Sequence, residues 1–150
     1  MQDYGLETGT WIGAKLDQGA WYQMSTPLFL PGLGLGHYLI KHDINFAFTR
    51  QVPCAADAPE RLCAEIVVHA TPDADDLKAT LETAARQLKY PQKQTLHYWS
   101  TTELRLVVDP DTLLPYSRDT RQYWYIGLDG AGQSEPIIES LRTVSTSVYH

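Results

Sequence analysis

The chain has 150 residues, of which 43% are hydrophobic and 20% are charged, and its formal net charge is −6. This length predicts a single domain over residues 1–150 with a full core, and this composition excludes a disordered chain. An acidic chain with 12 Lys and Arg is a poor ligand for nucleic acid or anionic membranes, and no apolar run is long enough to form a membrane-spanning helix.

Residues 10–36 predict a hairpin followed by an irregular segment. Two β-prone runs, at residues 10–16 and 20–26, flank the turn sequence Asp17-Gln18-Gly19. Residues 27–36 contain two Pro and three Gly, which disfavours regular structure. These glycines do not predict a phosphate-binding loop, because a strand rather than a helix follows them.

Residues 37–50 form the clearest predicted strand, and residues 61–70 are its expected partner. Every second side chain shares one face, and that face is largely apolar: Tyr38, Ile40, His42, Ile44, Phe46 and Phe48. The other face is largely polar, which is typical of an antiparallel sheet with one buried side. His42 on the apolar face is interpreted as a hydrogen-bonded core residue.

Cys54 and Cys63 are the two cysteines, and they flank a turn-rich loop between these strands. If the strands pair as a hairpin, the thiols lie close together and form a disulfide, which indicates a periplasmic or secreted protein. The residues from Met1 to Tyr4 do not resemble a signal peptide. The alternative is a cytosolic protein with two unrelated buried thiols. The spacing does not predict a zinc site.

One amphipathic helix is predicted over residues 72–90. Thr71 is a suitable N-cap, Pro72 suits the first helical position, and Pro91 ends the helix. Aspartates occupy the first turn, where they complement the helix dipole. One apolar stripe recurs at helical spacing: Leu77, Leu81, Ala84, Ala85 and Leu88.

Strands resume over residues 96–100, 103–108, 118–128 and 137–149. Strands around a single helix give an α+β fold, most simply a curved antiparallel sheet, similar to a half-barrel, that wraps around the helix. The apolar strand faces exceed what one helical stripe covers, so an apolar cavity is expected. The predicted ligand-binding residues are Tyr38, Ile40, Ile44, Phe46, Phe48 and Trp124.

No residue pattern predicts a catalytic, cofactor or metal site. The histidines lack ligand spacing, and there is no Gly-x-Ser-x-Gly nucleophile motif. Asp109 and Asp111 fit an Asx-type turn better than a calcium loop. The four Trp, nine Tyr and three Phe favour cross-strand packing, or alternatively an apolar cavity or an aromatic contact surface.

The segment from Thr102 to Arg118 contains a recognisable hairpin motif, in which Val108-Asp109-Pro110-Asp111-Thr112 ends one strand and Leu113-Leu114-Pro115-Tyr116 leads into the next. It resembles the strand, Asp-Pro-x-Thr, Leu-Pro, strand hairpin of bacterial envelope β-rich proteins, including the lipoprotein-carrier half-barrels. Residues 30–36 are similar to the segment that precedes a long strand in such proteins. The resemblance implies a curved antiparallel sheet that encloses a helix and loops, often with an apolar cavity for acyl chains.

Three functions are consistent with these patterns. The leading hypothesis is a non-enzymatic periplasmic or secreted protein whose curved sheet binds an apolar, lipid-like ligand or a protein partner. The second is a small enzyme with a cone-like α+β pocket that holds polar groups such as His42, Asp43 and Asp119. The third is a structural or immunity-type module that binds one protein through an exposed aromatic patch.

Overall fold

The computed structural model describes residues 15–30, 38–87, 95–112, 114–129 and 137–146. These ranges form six strands and one helix: β1 (Trp21–Phe29), β2 (Leu39–Ala55), β3 (Ala58–Pro72), α1 (Ala74–Gln87), β4 (Thr95–Val108), β5 (Pro115–Asp129) and β6 (Ile137–Thr146). The strands lie in chain order in one antiparallel sheet. The described part of the chain is thus mostly antiparallel sheet with one helix, as expected for the α+β class.

The sheet is open and curved. Cα atoms of β2 and β4, the two neighbours of β3, approach within 8 Å. Strands two positions apart in a flat sheet lie about 9.5 Å apart, so the sheet bends around β3. Among the described strands, β1 and β6 form its two edges.

The N-terminal strand pairs with β2, a contact that the sequence analysis did not predict. β1 pairs along its whole length with β2, from Trp21 opposite Ala47 to Phe29 opposite Leu39. The predicted turn before β1 is present, and Gly19 adopts a φ of 82°, which glycine tolerates without strain. The Gly19 N–H donates to the Phe48 carbonyl at 2.8 Å, which directs the turn toward β2. Of the expected partner run at residues 10–16, residues 10–14 lie outside the described residues.

β1 also extends into the segment that was predicted to be irregular. It continues through Pro27 to Phe29. Proline cannot donate to a neighbouring strand, but an edge strand accommodates it. The glycine-rich residues 31–36 lie outside the described ranges.

One face of the sheet, which we call the inner face, carries the hydrophobic core. Ile40, Ile44 and Phe46 are buried there, as the period-two alternation of β2 predicts. The main cluster draws on the four strands β1 to β4: Leu28 on β1, Ile44 and Phe46 on β2, Ile66, Val68 and Ala70 on β3, and Leu104, Leu106 and Val108 on β4. Full burial of each large aliphatic side chain stabilises the fold by about 1.5–3 kcal/mol.

The helix α1 packs on the inner face with the predicted apolar stripe. Leu77, Leu81 and Ala84 contact a second cluster that contains Leu30, Ile40, Tyr98 and Trp124. The predicted stripe residue Leu88 and the predicted helix end at residue 90 lie outside the described residues. No helix in the described ranges is long and apolar enough to cross a membrane.

The helix begins at Ala74, two residues later than predicted. Asp73 is the N-cap, because the Asp76 N–H donates to Asp73 Oδ1 at 3.0 Å. Pro72 is the last residue of β3. The Asp73 N–H donates to the Lys41 carbonyl at 2.9 Å, which continues the hydrogen bonding between β3 and β2. This contact keeps Pro72 extended and delays the helix.

A β-bulge in β2 reverses the direction in which its side chains point. Phe48 lies opposite Ile66 and Arg50 lies opposite Glu65, so Thr49 and Arg50 together oppose one residue of β3. Before the bulge, odd-numbered β2 residues face outward. After it, even-numbered residues do.

The predicted disulfide between Cys54 and Cys63 is confirmed, with the two Cα atoms 4.9 Å apart. It lies on the outer face, opposite the core, because the bulge turns Cys54 toward the side on which Cys63 lies. Tyr116 and Val107 pack against it and bury it at one end of the sheet. The bond agrees with an oxidising compartment.

Replacing both cysteines, Cys54→Ala with Cys63→Ala, should lower the free energy of unfolding by about 2–3 kcal/mol, because the bond restricts a short loop of the unfolded chain. Urea unfolding followed by circular dichroism measures this change. Reductant should destabilise the wild type by a similar amount and leave the double variant unchanged. An equal effect of reductant on both proteins would contradict this stabilising role.

Candidate functional site

The structure places the six predicted ligand-binding residues on or beside the inner face, in two groups. The first group, in the main core, consists of Ile44, Phe46 and Phe48. The second group, under α1, consists of Tyr38, Ile40 and Trp124. All except Tyr38 and Phe48 are buried. Each of them packs against the protein itself, and ligand binding by them stays a prediction.

Trp124 carries a buried polar atom without a partner. Its indole Nε1 is inaccessible to solvent and makes no hydrogen bond in the described part of the chain. Ser100, directly opposite on β4, is also buried. Burial raises the pKa of nearby Tyr98 to about 12. A buried N–H group without an acceptor costs about 1–3 kcal/mol, so an acceptor brought by a ligand would stabilise this position.

The inner face is exposed at its β6 end. α1 packs mainly on β2 and β4. Leu141 on β6 lies opposite Gln122 on the inner face and is 50% exposed. The helix therefore covers one side of the inner face and leaves an apolar side chain accessible on the other.

The three polar residues considered for an enzyme pocket do not lie in one pocket. His42 is buried on the inner face, where its Nδ1 lies 3.0 Å from the Ile40 carbonyl oxygen. Asp43 faces outward on β2 and accepts a hydrogen bond from the Ser25 hydroxyl at 3.2 Å. Asp119 also faces outward, but on β5, three strands away. The described ranges contain no group of three His, Cys, Asp or Glu side chains that could hold a metal ion.

The outer face carries a compact set of charged side chains. Opposite charges lie side by side across β4 and β5, with Glu103 opposite Arg121 and Arg105 opposite Asp119. Further charged residues flank these pairs on β2, β3 and β6. The whole set, which we call the charged block, consists of Arg50, Arg105, Arg121, Arg142, Glu65, Glu103 and Asp119.

Glu65 is buried and fully hydrogen-bonded within the charged block. The Thr49 hydroxyl donates to Oε1 at 2.8 Å, and Arg50 donates from Nε to Oε1 at 3.1 Å and from Nη2 to Oε2 at 3.3 Å. Burial acts to raise the pKa of Glu65, but these bonds and the charges of Arg105 and Arg50 outweigh it and lower the pKa. The bulge places both donors opposite this carboxylate.

Asp119 is held in the same way by Arg142 on β6. Arg142 donates from Nε to Oδ1 at 3.0 Å and from Nη2 to Oδ2 at 2.8 Å. This bidentate contact, with the charges of Arg121 and Arg105, lowers the pKa of Asp119. Arg121 and Arg142 lie directly opposite each other. The carboxylate beside them offsets the repulsion of these like charges.

A groove of about 160 Å³ opens within the charged block. It is lined from three adjacent strands by Val67 and His69, by Glu103, Leu104 and Arg105, and by Asp119 and Arg121. Pockets for drug-sized ligands occupy about 300–1,000 Å³, so this groove fits one small chemical group.

Exposed aromatic side chains flank the charged block on two sides. Trp21 on β1 is 57% exposed, and its ring lies 5.6 Å from the ring of His69 beside the groove. Trp99 and Tyr123, diagonal neighbours on β4 and β5, are 55% and 38% exposed. Indole and phenol rings concentrate at protein–protein interfaces, because they combine a large apolar area with a polar atom.

Sequence reasoning did not identify this outer surface. The available signal was the alternation of charged residues at 103 and 105 and at 119 and 121, on the polar faces of two neighbouring predicted strands. That alternation indicates a surface only when the register of β4 on β5 is known.

Comparison of the chain with protein-family models, with curated proteins and with solved structures finds no match in any of the three.

The variant Asp119→Asn should make the protein less stable at pH 7 and less sensitive to acid. Because the folded state lowers the pKa of Asp119, its contribution is complete above the unfolded pKa and is lost as the pH falls through the folded pKa, below about pH 4. Urea unfolding from pH 7 to pH 2 measures the difference between variant and wild type, which should shrink toward zero in acid.

Arg142→Gln is the matched variant, because it removes the bidentate donor and keeps the carboxylate. The difference in stability between Arg142→Gln and wild type should also shrink as the pH falls. A stability difference between Asp119→Asn and wild type that stays constant down to pH 2 would contradict this interpretation.

Proposed function

We propose that this protein is a non-enzymatic binding protein of the periplasm or another extracytoplasmic compartment, and that it holds a protein partner on the outer face of its curved sheet. The observation that carries this proposal is the set of three exposed aromatic side chains around the charged block: Trp21, Trp99 and Tyr123. Trp, Tyr and Arg side chains are enriched at protein–protein interfaces, and they contribute most of the binding energy there.

The arrangement of the outer face supports a protein rather than a small molecule as the occupant. Trp21 lies on β1, whereas Trp99 and Tyr123 lie on β4 and β5, so the aromatic side chains span most of the sheet. The groove between them is small. A partner that contacts all three residues therefore needs an extended surface, which proteins present.

The proposed compartment rests on the disulfide. Cys54 and Cys63 are bonded and buried on the outer face. Stable disulfides persist in secreted and periplasmic proteins and are rare where thiols are kept reduced. We propose the periplasm because the β4–β5 hairpin resembles that of bacterial envelope proteins.

A photo-crosslinking experiment in the source organism tests the outer face. A benzophenone amino acid at position 123 should capture a protein in a discrete adduct, whereas the same probe at position 78, on the exposed side of α1, should not. Adding Trp21→Ala and Trp99→Ala to the position-123 probe should reduce the adduct at least tenfold, because these anchors would contribute most of the binding energy.

The probe at position 78 controls for accidental capture, and circular dichroism controls for folding of the variants. Equal adducts from positions 78 and 123, or adducts that survive the loss of both tryptophans, would rule out the outer face as the binding surface.

A second candidate occupant is an apolar ligand on the inner face. Leu141 is half exposed there, and the unpartnered Nε1 of Trp124 lies nearby in the same part of the sheet. In this proposal the sheet wraps around α1 in the manner of a half-barrel and leaves room for an acyl chain at its β6 end. The carboxylate or ester oxygen of a lipid would supply the acceptor that Trp124 lacks.

A fluorescent fatty acid tests this second candidate. Saturable binding to the purified protein is expected, and Leu141→Glu should weaken it at least tenfold, because a charge would have to be buried against the acyl chain. Trp99→Ala on the outer face is the matched control and should leave binding unchanged. Absence of saturable binding to the wild type would eliminate the lipid ligand.

A further inference from the structure

Some arginines of the charged block are hydrogen-bonded to its carboxylates, and others are not. Arg50 and Arg142 are engaged by Glu65 and Asp119 in hydrogen bonds between 2.8 and 3.3 Å long. Asp119 lines the groove, whereas Arg50, Glu65 and Arg142 do not. In each pair, two N–H groups of the arginine and both carboxylate oxygens are used within the protein.

The two arginines that line the groove are different. Among the described residues, the closest carboxylate oxygen to Arg105 is Glu65 Oε2, 3.9 Å from Nη1, and the closest to Arg121 is Asp119 Oδ2, 3.7 Å from Nη2. Both distances exceed that of a hydrogen bond. Each guanidinium thus keeps N–H donors that a bound group can use.

We propose that this groove binds the side-chain carboxylate of an acidic residue on the protein partner, between the guanidinium groups of Arg105 and Arg121. This inference rests on the proposed function and specifies the chemistry of the partner. Guanidinium groups bind carboxylates through paired, charge-assisted hydrogen bonds. A carboxylate is also small enough to enter a groove of about 160 Å³.

Charge complementarity favours an acidic group. The charged block contains four arginines and three carboxylates, so it is locally positive, whereas the whole chain carries a net charge of −6. Two of those carboxylates, on Glu65 and Asp119, are already neutralised by hydrogen-bonded arginines. The charges that remain are those of Arg105, Arg121 and Glu103, whose sum of +1 favours an anion.

Glu103 adds selectivity to the groove. Its carboxylate lines the groove beside His69 and Arg121 and makes no ion pair within 4 Å among the described residues. An anion that enters between the arginines must stay away from Glu103, or bring a donor toward it. The backbone N–H of the partner's acidic residue meets this requirement, whereas a bare inorganic anion does not.

Nuclear magnetic resonance titration with N-acetyl-glutamate α-amide, which carries one side-chain carboxylate, tests the proposal without the partner. We expect saturable shifts of the backbone amides of Val67, His69 and Leu104, at millimolar affinity that falls with added salt. The isosteric N-acetyl-glutamine α-amide should give no saturable shift. Equal shifts with the two probes would overturn the proposal.

The variant Arg105→Gln with Arg121→Gln should weaken binding of the carboxylate probe at least tenfold. The control variant Lys78→Gln with Arg86→Gln removes the same number of charges from the exposed side of α1 and should bind like the wild type. Unchanged probe binding by the Arg105/Arg121 variant would also overturn the proposal.

The crosslinking experiment separates this inference from the proposed function. If the outer face binds a protein by other chemistry, the adduct from position 123 survives Arg105→Gln with Arg121→Gln while the probe fails to bind. If the groove binds carboxylates but the outer face has no protein partner, the probe binds and no adduct forms.

Discussion

One extra residue in β2 determines how both faces of the sheet are occupied. Thr49 and Arg50 oppose Glu65 together, and this bulge reverses the alternation for the rest of the strand. Without it, Cys54 would point toward the core and could not reach Cys63 on the outer face. The same residue pair supplies the donors that satisfy the buried Glu65 carboxylate. The disulfide and the edge of the charged block therefore both depend on this one β-bulge.

Strict alternation couples the outer face to the core along β4. Arg105 lies between Leu104 and Leu106, which are both buried in the main cluster. Successive side chains of a strand point to opposite faces. Core packing of these leucines therefore also fixes the backbone position of Arg105 and directs its side chain to the outer face. The register of β4 on β5 then places Arg105 opposite Asp119. A shift of one residue would move charges into the core, at a cost no local contact offsets.

Hydrophobic patterning was sufficient to predict the inner face, because burial depends chiefly on apolar character and spacing. Ile40, Ile44 and Phe46 are buried in accord with their period-two alternation. The disulfide could be predicted because its two cysteines flank one short loop of a hairpin. These features depend on residues near each other in sequence.

Features that depend on tertiary contacts could not be predicted in the same way. Thr71 and Pro72 satisfy the local rules for a helix start, but the hydrogen bond from Asp73 N–H to the Lys41 carbonyl keeps that segment in the sheet. The bulge has no Gly or Pro to mark it, since Thr49 and Arg50 are ordinary strand residues. The groove combines three strands, and its position follows only from their registers.

A groove built on strand residues is organised before any partner binds. Its lining residues belong to β3, β4 and β5, the centre of the sheet, and their backbones are hydrogen-bonded on both sides. Binding there requires no ordering of a loop, so little conformational entropy is lost from the backbone. The arginine side chains are exposed and still lose rotamer freedom when a carboxylate holds them. One carboxylate therefore contributes specificity rather than most of the affinity, and the exposed rings of Trp21, Trp99 and Tyr123 have to supply the remainder.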